Sequence, residues 1–130
     1  MDIERKERQK LWKPDADKIK NLLTTIQRLR DTISTCQHEI SDILAWVDNA
    51  DVSHLHNSIA QIRKDIDVKT AEIREIGQNL YAKGGLIFLR EAANHIRLPD
   101  LRNYWENIDP EFDLETKRLL EKKRNQKYVR

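Results

Sequence analysis

Asp48, Asp51, His54 and His56 stand within nine residues of one another, and carboxylate and imidazole are both competent metal ligands. Their spacing works against a shared ion. Residues two apart on a helix point about 200° apart, so a helical His54 and His56 address different directions and read as solvated side chains in a first turn. Cys36 is the single cysteine, which leaves no partner for an internal disulfide. It falls on an apolar helical stripe, where burial raises a thiol's pKa and blocks attack. His38 lies on the outer face of the same stretch and His95 near the end of a short helix. Neither has an Asp or Ser at a spacing that would orient it. No Gly-rich phosphate loop, paired cysteines or His-Glu-x-x-His occurs. The expectation is a non-enzymatic chain with no catalytic residue, metal, cofactor or small-molecule substrate.

Polyanion binding is the other chemistry to weigh. Lys117, Arg118, Lys122, Lys123, Arg124, Lys127 and Arg130 form a basic run in which Glu121 is the one acidic residue. On a helix these positions spread around the axis and make no single stripe, as in a solvated tail. The short helical patterns before them superficially suggest a helix-turn-helix. The gap from Ile96 to Pro99 is short, however, and no second helix carries a set of base-reading Arg, Asn or Gln. Nucleic-acid binding through this tail therefore stands as the alternative to protein binding.

The elements that position these residues follow from apolar periodicity. From Ile19 the chain runs Leu22, Ile26, Leu29, Ile33, Cys36, Ile40, Ile43 and Val47, an unbroken alternation of steps of three and four. After the polar stretch at 48–51 the pattern resumes as Leu55, Ile59, Ile62, Ile66, Lys69, Ile73, Ile76 and Leu80. The numbers of facing partners add to 102 throughout, from Val47 with Leu55 to Leu29 with Ile73, so each a position meets a d position, as antiparallel pairing requires. Pro14 suits the first turn of the first helix, Gly84 and Gly85 the stop of the second, and Asp51 or Ser53 its start. The fold expected is all-α, a long antiparallel two-stranded coiled-coil hairpin on a small helical base. Residues 1–13 form a basic N-terminal segment, 14–83 the hairpin with its tip at 48–53, and 84–130 a short-helix base with a basic C-terminal tail.

A four-helix bundle needs about three apolar positions in seven and a two-stranded seam two; this chain mostly shows two. Its flanks carry Thr25, Arg30, Thr32, Gln37 and Glu39, then Ser58, Arg63, Asp65, Thr70 and Glu72, so the mid-section projects into water. Leu23 with Tyr81 and Leu44 with Trp46 depart from this at the two ends. Lys69, facing Ile33, is the one polar break in the seam and is read as a lysine whose stem packs while its ammonium reaches water. Glu39 falls beside Asp65, a small repulsive cost. In the base, helices are expected over 86–96, 99–108 and from Asp109 or Asp113 to about 126, packed against Leu11, Trp12, Leu23 and Tyr81.

Composition agrees with this outline. The 130 residues include only three Gly and three Pro, which disfavours a many-turned β fold, and 35% are charged against 38% hydrophobic. No apolar run nears the roughly 18 residues of a membrane span and 1–13 is charged, so a cytoplasmic protein without a membrane partner is expected. The middle, 14–83, is mildly acidic and both ends are mildly basic.

Function is then expected at two surfaces that bind a protein, another copy of the chain included. One is the tip, with Leu44, Trp46, Asp48 and Asp51; the other is the aromatic base around Tyr104 and Trp105. The Asp48-x-x-Asp51 pair on a hairpin tip resembles the acidic tip of the Gre and related transcription factors, which insert a coiled-coil finger into the secondary channel of RNA polymerase. The resemblance covers that pair and the hairpin presenting it, and it implies a transcription factor acting on RNA polymerase as a further alternative. The helical base departs from the C-terminal domains of those families, and no catalytic role passes to either aspartate.

Overall fold

The computed structural model describes residues 4–97, 101 and 103–128, with side chains up to 122. Most of the described residues lie in α1, Arg5–Trp46; α2, Ser53–Ile96, interrupted at Gly85; and α3, Pro110–Tyr128. No strand occurs among the described residues. Helices α1 and α2 pack on each other as a helical hairpin. Their direction is fixed by the ion pairs Asp15–Lys83 and Lys18–Glu72, both before Gly85, in which the α2 number falls as the α1 number rises.

Burial follows the apolar steps. In α1, Ile19, Ile26, Ile33 and Ile40 are buried while Leu22, Leu29, Cys36 and Ile43 are half-buried. An outer cluster of Ile33, Ile40, Val52, Leu55 and Ile59 gathers half-buried Cys36, Ile43, Ile62 and Ile66 around it. Two expectations need adjustment here. Cys36 is only half-buried, because two helices alone do not seal the sides of their contact. Val47 is 56% exposed; Val52, 8% exposed, closes the end of the apolar strip in its place. Lys69 is half-buried, as a stem-packed lysine would be.

Pro14 does not begin α1, which starts nine residues earlier at Arg5. An interior proline forfeits one helical hydrogen bond at a cost of about 3 kcal/mol. The offset is visible on either side of it: Trp12 is 5% exposed and Ala16 fully buried, both in the core of the base. Tertiary burial has overridden the local preference.

Gly85 ends the long arm of α2, as the two glycines lead one to expect, and a second helical stretch follows it up to Ile96. Its φ of +67° and ψ of −153° lie where only glycine rests without strain, and helical geometry resumes after it. The ion pairs show how sharp the turn is. Lys83 meets Asp15 and His95 meets Asp17, although twelve residues of straight helix would hold positions 83 and 95 about 18 Å apart. The stretch after Gly85 therefore folds back over α1, burying Phe88, Leu89, Ala92, Ala93 and Ile96 against Trp12, Ala16 and Ile19.

Of the expected helix over 99–108, Leu101 is helical and 103–108 form turns and bends, in which the amides of Tyr104 and Trp105 donate to the Leu101 carbonyl at 3.0 and 3.1 Å. Its start at Pro99 lies outside the described residues. Trp105 is fully buried and donates its indole N–H to the Ile73 carbonyl at 3.1 Å. It can do so because Gly77 sits beneath it; a Cβ there would run into the indole. Helix α3 starts where Asp109 caps it, its Oδ1 accepting from the amides of Glu111 (2.7 Å) and Phe112 (3.3 Å), with Pro110 in the first helical position.

Candidate interaction surfaces

The tip is a six-residue link, 47–52, held by its own backbone. The Val47 amide donates to Ile43 at 2.9 Å, and the Ala50 amide to Val47 at 3.2 Å. Asp51 Oδ1 accepts from the Ser53 amide at 3.0 Å, and hydrogen bonds from the Ser53 hydroxyl and amide hold the Asp51 carboxyl below its ordinary value of 3.8. Asp51 is thus engaged at the start of α2, whereas Asp48 is exposed. Trp46 is 90% exposed, with exposed Val47 and Leu44 beside it in the chain. A large apolar ring at the end of a 42-residue helix, with nothing of its own chain covering it, is the most exposed of the large hydrophobic side chains described. His54 and His56 are exposed, and among the described residues no group of three or more His, Cys, Asp or Glu could hold a metal ion.

The aromatic base is different. Tyr104 is 8% exposed and Trp105 fully buried, so neither forms the surface expected of them. Both pack inside because the turns at 103–108 press them onto α2. The Trp105 ring lies 6.0 Å from that of Phe112, and Arg74 donates to the Tyr104 carbonyl at 3.4 Å. What remains open there is a groove of about 560 Å³ lined by Leu23, Gln27, Arg30, Thr70, Asn103 and the rim of Tyr104.

His95 has a partner that no local spacing predicts. Its Nε2 lies 2.9 Å from Asp17 Oδ1, and its ring packs edge-on to Trp12 with centroids 5.4 Å apart. The hydrogen bond from His95 holds the Asp17 carboxyl below its ordinary value. On the other side of the base, Arg90 pairs with both oxygens of Glu115 and with Glu111 at 3.6 Å. Asp109 is held low chiefly by a hydrogen bond with Tyr81, whose hydroxyl is raised in turn.

On α3, Lys117, Arg118 and Lys122 are exposed. Lys123, Arg124 and Lys127 lie within the helix, but their side chains, and the whole of Arg130, fall outside the described residues. Leu114 and Leu119 are half-exposed, and a recess of about 160 Å³ opens between α3 and the end of α2, lined by Arg90, Asn94, Phe112, Glu115, Thr116 and Leu119. Sequence reasoning missed this recess, since a half-exposed Leu119 within a basic run reads as tail. No described helix is long and apolar enough to cross a membrane. No known protein family, curated protein or solved structure matches the chain.

Proposed function

We propose that the chain is a non-enzymatic helical interaction protein, in which an antiparallel two-stranded coiled-coil hairpin presents its tip to a protein partner. The observation that carries this reading is the 90% exposure of Trp46 at the end of a long helix. An aromatic side chain on a rigid element loses little entropy when it is covered, and such residues dominate many interfaces. Leu44, Val47 and Asp48 flank it. Coiled-coil pairing is supported by the alternation of buried and half-buried positions along α1. A disulfide engineered between positions 40 and 62 should form in the monomer and one between 40 and 73 should not; the reverse outcome would refute the register. The function itself is tested by capture from the native host. Trp46→Ala should lose the captured protein while helicity by circular dichroism stays unchanged.

A second reading, nucleic-acid binding, draws support from exposed Lys117, Arg118 and Lys122 on one helix. It requires affinity that falls steeply with salt, by a slope of about 0.9 per phosphate contact on duplex DNA. It also requires that deleting residues 122–130 abolish that affinity.

A further inference from the structure

We propose that the tip of one copy docks into the recess beneath α3 of a second copy, so that the chain assembles head to tail. The proposal rests on the reading that the hairpin presents its tip, and it adds what receives it.

Charge is the first argument. From Thr32 to Ile62 there is no Lys or Arg, while Glu39, Asp42, Asp48 and Asp51 are acidic. All 24 basic residues therefore lie outside this outer half, against 18 of the 22 acidic ones. A tip repels another tip, which disfavours a symmetric tip-to-tip dimer, and attracts a base, whose α3 exposes Lys117, Arg118 and Lys122.

Shape is the second. The recess beside α3 measures about 160 Å³, and an apolar cavity of about 150 Å³ accepts a benzene ring, so the recess has room for the six-membered ring of an indole. Phe112, 3% exposed, forms its floor, half-exposed Leu119 its wall, and Arg90 brings a guanidinium that can lie over an aromatic face. Trp46 is the aromatic side chain that, among the described residues, lies exposed within the acidic outer half of the hairpin. Three apolar side chains and their charged neighbours cover less than the roughly 1,200 Å² at the low end of specific interfaces, so the association is weak and concentration-dependent. A contact between two unlike surfaces does not close in a dimer; it continues into chains or rings.

Sedimentation of the full chain, from low micromolar to near-millimolar concentration, tests this at about 50 and about 300 mM NaCl. Average mass should rise with concentration and rise less at the higher salt. Trp46→Ala and Leu119→Glu, both at exposed positions, should each weaken association at least tenfold with the melting temperature unchanged. Mixed together, the two variants should form a one-to-one dimer and nothing larger, because only one functional tip and one functional recess remain. Wild-type chain that stays monomeric at every concentration overturns the proposal and leaves the presenting role to host capture. Assembly that survives Trp46→Ala, or a mixture that yields no dimer, overturns it as well.

Discussion

In the outer half of the hairpin the best-buried residues, Ile33, Ile40, Val52, Leu55 and Ile59, keep 6 to 9% of their surface exposed. In the base, Ala16, Ile19, Ile73, Leu80, Leu89, Ala92, Ala93, Leu101 and Trp105 keep none. The apolar residue types are similar, so the difference comes from the number of layers. Two helices cover each other along one strip and leave its flanks wet. The fold-back at Gly85 and the turn carrying Trp105 add further walls at the root. Stability should therefore be concentrated in the base, with the outer hairpin as the end that is easier to open.

The sharpest way to break this comparison is to remove one anchor from each region. Trp105→Ala should cost about 3–5 kcal/mol in urea unfolding, whereas Ile40→Ala should cost about 2 kcal/mol, the low end for its class, because its neighbours are already partly hydrated. Equal losses would mean that the outer half is sealed by something else.

Acid should loosen the base before the tip. Asp17, Asp109 and Glu115 in the base all have lowered carboxyl pKa values, held by His95, Tyr81 and Arg90 respectively; at the tip only Asp51 does. A carboxyl held low contributes stability that is fully present above its ordinary value, 3.8 for Asp and 4.5 for Glu, and is lost as pH falls through the lowered one. Near-ultraviolet dichroism, which reports Trp12, Tyr104 and Trp105, should thus decline below about pH 4 before helicity does. Simultaneous loss of both signals would place the acid-sensitive contacts elsewhere.

Two smaller effects sharpen the picture. Lys69→Leu should be neutral or raise stability by no more than about 1 kcal/mol, since it replaces a half-buried stem with an apolar side chain. A marked loss would reveal a partner for the ammonium. Trp46→Ala should shift unfolding by less than about 0.5 kcal/mol, as exposed substitutions do. A larger shift would make Trp46 a structural residue and move the search for the binding surface back to the base.

The hairpin was legible because steps of three and four report burial directly; of the two cap candidates for α2, Asp51 accepts from the Ser53 amide, but Val52 holds the cap position and Ser53 is already the first helical residue. The base was harder to read because its contacts are not local. Pro14 pointed to a helix start, yet Trp12 and Ala16 bury enough against α2 to carry the helix past it. Tyr104 and Trp105 looked like surface aromatics because nothing near them in sequence covers them. One signal was available: Gly77 costs helix stability unless something needs the space, and the indole of Trp105 occupies it. Asp17 as the partner of His95 left no trace in spacing, being 78 residues away.

That separation bears on the order in which the molecule can be made. The link at 47–52 joins helices that begin pairing within a few residues of it, so the hairpin can zip from its tip as soon as both arms exist, with little loop entropy to overcome. The base cannot. Arg8 must wait for Glu91, 83 residues later, and the core stays open until Trp105 and Phe112 arrive. During synthesis the nascent chain should therefore leave the ribosome as a zipped hairpin with a frayed root, exposing Trp12, Ile19 and Leu80 until the last quarter of the polypeptide emerges. Pulse proteolysis of stalled chains ending near residue 97 should cut within α1 around Trp12 while sparing the tip.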